Sequence, residues 1–197
     1  MRKRLSSLLL MGTATVGTIT AGAMPAQVTP AQPKYPLNVT VTYNATLSNV
    51  ITSSHFWMQG GSVQIHGQLW RGWGVAADIA GTQAGNVNAS GVGLDMVTAT
   101  FGPRYTWSPA HQRYALFGQV LAGIAKGFNS VFPAATGAIS SNNSLALVLG
   151  GGMNVALSRH VAVRALDADW LRTQLPNGTT NVQNNLRLGA GVVFRFR

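Results

Sequence analysis

The chain contains no cysteine and no glutamate, and charged residues fill only 9% of its 197 positions. Without cysteine, no disulfide can staple the fold if the chain is exported. The four acids are all aspartates, Asp78, Asp95, Asp167 and Asp169. A soluble domain of this size normally carries a surface rich in both charge signs, Glu and Lys prominent among them, and that surface cannot be made here. Basic residues outnumber acids 14 to 4, for a formal net charge of +10. They are scattered along the chain, so they do not form the clustered surface that tracks a phosphate backbone, and nucleic acid is excluded as a partner. Long hydrophobic runs are also missing. Downstream of residue 23 no apolar stretch approaches the roughly 20 residues of a membrane helix. If that part of the chain crosses a bilayer, it must do so as strands.

The N-terminus reads as an export signal. Arg2, Lys3 and Arg4 form a basic region, 5–19 is mostly apolar, and Ala21-Gly22-Ala23 is a small-residue cleavage site that places the cut before Met24. Residues 1–23 are therefore expected to be a cleaved Sec-type signal peptide. Residues 24–36 contain four prolines and are expected to be an extended lead-in. The domain proper is expected over 37–197.

From residue 37 onward the dominant pattern is alternation. Leu37, Val39, Val41, Tyr43, Ala45 and Leu47 interleave with Asn38, Thr40, Thr42, Asn44 and Thr46. At the other end, Leu186, Leu188, Ala190, Val192, Phe194 and Phe196 interleave with Arg187, two glycines, Val193 and Arg195. Successive side chains of a strand point to opposite faces, so each segment has one apolar face and one polar or bare face. The same reading predicts strands over 37–47, 56–70, 73–81, 93–107, 114–126, 144–157, 161–173 and 186–197. Pro103 predicts a bulge or strand end in the fourth. The connections alternate in length: 48–55, 82–92, 127–143 and 174–184 are long, polar loops, whereas 71–72, 108–113 and 158–160 are short turns. Trp57, Trp70, Trp73, Tyr105, Trp107, Tyr114, Trp170, Phe194 and Phe196 fall mostly near strand ends, as membrane-interface aromatics do. These signals predict an all-β fold, an eight-stranded antiparallel up-and-down transmembrane β-barrel. Its short turns and both chain ends would face the periplasm.

On these features, and on the stretches Gln59-Gly60-Gly61-Ser62-Val63, Phe101-Gly102-Pro103-Arg104-Tyr105, Ala168-Asp169-Trp170-Leu171-Arg172-Thr173 and Asn184-Asn185-Leu186-Arg187, the chain resembles the small eight-stranded outer-membrane β-barrel family, the relatives of outer membrane proteins A and X. Those stretches resemble an acidobacterial branch of that family. The resemblance implies residence in the cell outer membrane of a Gram-negative bacterium, and a role in structure or surface interaction rather than catalysis. It also implies contact with outer-membrane lipid, assembly through recognition of the C-terminal strand by the barrel-assembly machinery, and a possible extracellular partner at the loops. The family usually ends on an aromatic residue, whereas here Arg197 follows Phe196.

Parity assigns Gln64, His66, Gln68, Asp78, Arg104, Gln119, Arg187 and Arg195 to the lumen. Arg164 and Asp169 belong to the same polar set but have opposite parity, so both can face inward only across a bulge. The main reading is an Arg/Asp/Gln network that fills the barrel. Arg outnumbers Asp in this set, and that excess supports an alternative, a narrow anion-favouring pore. A lipid-acting enzyme is a further alternative. It would need a Ser, a His and an acid within reach, but His55 lies near Ser53 and Ser54 with no acid close by, His66 falls in the lumen, and His111 and His160 fall in short turns. A soluble barrel binding a hydrophobic ligand would need the reverse polarity, apolar inside. Gly150-Gly151-Gly152 and Gly189-Ala190-Gly191 complete no phosphate-loop fingerprint. No catalytic residue, metal site or cofactor is assigned. The longest loop, 127–143, carries Phe128, Val131, Phe132 and Pro133, which could meet a partner or fold back on the rim.

Overall fold

A computed structural model describes residues 37–49, 55–85, 93–110, 112–134, 137–177 and 180–196. The expected signal peptide and lead-in, His111, Arg197 and much of the two loops before β2 and β4 lie outside the described residues. The strands are β1 (Leu37–Ser48), β2 (Phe56–Trp70), β3 (Trp73–Ala84), β4 (Leu94–Trp107), β5 (Tyr114–Ala134), β6 (Gly137–Ala156), β7 (Val161–Thr173) and β8 (Gln183–Phe196). Each pairs antiparallel with its sequence neighbour, and β1 closes on β8 through an unbroken ladder from Leu37↔Phe196 to Leu47↔Leu186. The result is a closed barrel whose wall has no free sheet edge.

Alternation in the sequence becomes a radial sorting of side chains. Ile79 and Phe101 are 63% and 67% exposed on the outer face, while Ala76, Met58 and Leu121 are fully buried inside. The outer wall carries Val41, Val63, Ile65, Val75, Val120, Ile124, Leu149 and Val192, a continuous apolar surface. A wall of that kind is stable only against another apolar medium.

Three local features depart from the sequence reading. First, β5 and β6 run on through most of the expected 127–143 loop and leave only 135–136 between their ends. Pairing continues from Lys126↔Asn143 to Phe128↔Ser141, breaks at a bulge where Asn129 has φ +54°, and resumes at Phe132↔Ile139. Loss of hydrophobic alternation marked this stretch as a loop, but a backbone ladder does not require apolar side chains. It can continue into water once the apolar band ends. Second, no register shift occurs at Pro103. The β4–β5 pairing skips Gly102 and Pro103 and resumes at Arg104↔Gln119 in the same register, and the β3–β4 ladder is intact through Val75↔Pro103. The neighbouring ladder holds the strand straight where proline cannot donate. Third, β3 continues to Ala84 and β8 starts at Gln183, each about three residues beyond its expected boundary at the loop end.

Candidate functional site: a charged network across the lumen

The interior has two layers. Toward the long-connection end lies an apolar plug built from Phe56 and Met58 of β2, Leu94 and Met96 of β4, Leu121 and Ala125 of β5, Ala146 and Val148 of β6, and Leu171 of β7. Phe132 of the β5–β6 hairpin and Leu175, just past β7, complete it. Both fold back over Gly127, where a β-carbon would lie 2.7 Å from the Phe132 ring and 3.3 Å from Leu175. Gln183 fastens Leu175 in place. It accepts from the Leu175 amide (2.8 Å) and the Thr173 hydroxyl (3.0 Å), and its own side-chain amide donates to the Leu175 carbonyl (2.6 Å). Of the two possibilities for the hairpin aromatics, Phe132 therefore folds back, while Val131 stays exposed. This plug was not legible in the sequence, because Met58, Leu94, Met96 and Leu121 are apolar residues on the face expected to be polar.

Below the plug, polar side chains from all eight strands interlock. Arg164 donates to Asp167 (2.8 Å), Gln64 (3.0 Å), Thr40 (3.3 Å) and Asn154 (3.3 Å). Arg187 donates to Asp78 (3.0 Å) and, through Nη2 and Nε, to Asp169 (2.6 and 3.1 Å). Arg104 donates to Gln64, whose amide donates to Gln119 (3.1 Å), whose amide in turn donates to Asp169 (3.2 Å). The Phe117 ring lies under two guanidiniums, 3.6 Å from Arg104 and 4.7 Å from Arg164, in cation–π geometry. Space for this network comes from small residues. A β-carbon on Gly150 would overlap the Asp169 carboxylate, and one on Gly152 would sit 2.8 Å from Phe117.

The structure buries Gln64, His66, Asp78, Arg104, Gln119, Arg164, Asp169 and Arg187. His66 stands beside Asn38 at 3.3 Å. Two of the assigned residues lie at the rim and outside the buried set. Gln68 is exposed near the turn end of β2, where the pairing with β3 is shifted between Gln68 and Trp70. Arg195, opposite Asn38 of β1, keeps the inward register and is half-buried at the same rim. The bulge required by the parity of Arg164 and Asp169 lies in β7, between Arg164↔Gly191 and Asp167↔Gly189. It also turns Asp167 inward, a residue absent from the sequence-based lumen set. The buried ions are then Arg104, Arg164 and Arg187 against Asp78, Asp167 and Asp169, so the charge excess that suggested an anion-favouring lumen is gone. All nine interface aromatics lie exposed on the outer wall. Seven of them, Trp70, Trp73, Tyr105, Trp107, Tyr114, Phe194 and Phe196, gather at the short-turn end, where Trp73 and Tyr105 rings meet at 5.1 Å. Among the described residues, no three metal-ligating side chains come together.

An apolar wall around an ion-paired interior defines a transmembrane β-barrel. The solved structures it is similar to share that architecture. Neisserial surface protein A aligns over 82% of this chain and 97% of its own, with 14% identity and a TM-score of 0.62. Ail, the attachment invasion locus protein of Yersinia pestis, aligns over 80% of this chain and 97% of its own, at 18% identity and a TM-score of 0.50. A second Ail structure, in complex with the heparin analogue sucrose octasulfate, gives 19% and 0.51 over 80% of this chain and 97% of that one. At these identities the likeness is one of fold. No family profile and no curated sequence matches the chain.

Proposed function

We propose that this chain is a resident barrel of a Gram-negative outer membrane, of the branch its motifs resemble, with a structural or surface-interaction role and no catalytic one. The observation that carries this reading is the inverted polarity: an apolar exterior around a buried network of hydrogen-bonded and ion-paired side chains. The export signal expected from residues 1–23 and the outer-wall aromatics agree with it. The four connections at the plug end are the parts offered to the outside, and the β5–β6 hairpin is the largest of them. A pore is the weaker reading, because the buried charges balance and the plug fills the mouth above them. Fractionation of expressing cells tests the proposal. The chain should appear in the outer-membrane fraction as a band whose mobility on a denaturing gel changes on boiling. A soluble periplasmic band without that change would overturn it.

A further inference from the structure

Among the described residues, the exposed side-chain charge at the short-turn end of the barrel is of one sign. Each of the three short turns presents one exposed arginine: Arg71 between β2 and β3, Arg113 between β4 and β5, and Arg159 between β6 and β7. The chain has only four side-chain carboxylates, and none lies at this end. Asp78, Asp167 and Asp169 are spent in the lumen network, and Asp95 sits at the opposite end, where Asn129 donates to it. The turns are also fixed in place. Each is tied sideways to a strand beyond its own hairpin: the Gly72 carbonyl accepts from the Thr106 amide (2.8 Å), the Arg113 carbonyl from Ala156 (2.6 Å), and the His160 carbonyl from Arg195 (2.8 Å). The three arginines therefore stand on a laced rim rather than on independent loops. Immediately beside them is the dense aromatic girdle, and the Arg71 guanidinium lies 5.0 Å from the centre of the Trp70 ring.

From this arrangement we infer that the short-turn rim is a binding surface for anionic phospholipid headgroups of the adjoining leaflet, with Arg71, Arg113 and Arg159 as the phosphate-facing groups. The inference rests on the membrane reading proposed above. Trp and Tyr rings settle at headgroup depth, so a cation held against Trp70 is at the level of lipid phosphates. A basic residue near an anionic membrane surface is attracted over about a Debye length. Guanidinium is the cation best matched to phosphate oxygens. The mixed charges at the other end, Asp95, Lys126 and Arg172, make no comparable one-signed rim.

The test uses the full mature chain folded into vesicles of phosphatidylcholine alone or phosphatidylcholine mixed with phosphatidylglycerol, and reads the temperature at which the heat-shifted gel band is lost. The midpoint should rise by about 5 °C with phosphatidylglycerol. The rise should vanish in high salt, and R71Q/R113Q/R159Q should lose most of it while keeping the wild-type midpoint in phosphatidylcholine. K126Q/R172Q should keep the rise. Equal midpoints in the two vesicles, a rise retained by the triple variant, or a rise lost instead in K126Q/R172Q would each overturn the inference. Inorganic phosphate added to phosphatidylcholine vesicles at constant ionic strength should give no rise, and an equal rise would make this a soluble-anion site. Failure to obtain any heat-shifted band in either vesicle would instead sink the membrane reading itself.

Discussion

Asp169 accepts from Gln119 of β5 and twice from Arg187 of β8, so one carboxylate joins three strands. Removing one member of a buried ion pair leaves its partner charged and unpaired, at a cost of about 3–5 kcal/mol. Asp169→Ala should lower the stability of the folded barrel by roughly that amount, read as a reduced urea midpoint in detergent micelles. Asp169→Asn, which keeps an acceptor oxygen, should fall between the two. An unchanged midpoint in Asp169→Ala would show that Asp78 alone suffices for Arg187 and that the network is not cooperative. The same residues mark where parity reading succeeds and where it stops. Asp78, Arg104 and Arg187 lie on regular strands, and their inward direction follows from counting by two. Asp167 and Asp169 are both odd-numbered, and Arg164 is even. Counting alone therefore cannot seat all three on one face, and the lumen set closes only when the bulge is seen.

At the scale of the element, that bulge makes a sharp prediction. Ala165 is the extra residue of β7, unpaired on both sides, since Arg164 and Leu166 face Asn154 and Met153, consecutive residues of β6. Deleting Ala165 restores strict alternation from Arg164 through Asp167 without moving either face. The deletion variant should fold with the normal boiling-dependent gel shift. Deleting Ala168, three residues on in regular strand, must turn Asp169 or the Arg164–Asp167 pair toward the outer wall. That variant should lose the shift, and equal behaviour of the two would refute the role given to the bulge. The β5–β6 hairpin gives a second test. Among the described residues of the hairpin, Phe132 is the large side chain fully buried in the plug, with Ile139 partly buried against it. Phe132→Ala should leave the barrel folded but make the hairpin cleavable by chymotrypsin at Phe128, and resistance equal to wild type would show that Phe132 does not hold it. The hairpin itself was illegible in the sequence for a physical reason. Asn, Ser and Gly near 137–144 signal solvent and so predict a loop, yet strands can stand in water when their partner is already registered below.

At the scale of the whole molecule, the plug and the balanced network act in series along the lumen axis. The purified barrel in a planar bilayer should show no discrete conductance, and steady single-channel steps would overturn a filled interior. The position of Arg187 on the last strand has a consequence for how the molecule is made. Without β8, the other seven strands hold Asp78, Asp167 and Asp169 against only Arg104 and Arg164, with Asp78 and Asp169 both lacking the cation they pair with. The strand that supplies that cation is also the one whose ladder to β1 closes the cylinder. A sheet that lacks β8 therefore carries a surplus negative charge on its interior face. The final seam is electrostatically self-reporting, since only the completed circle is neutral.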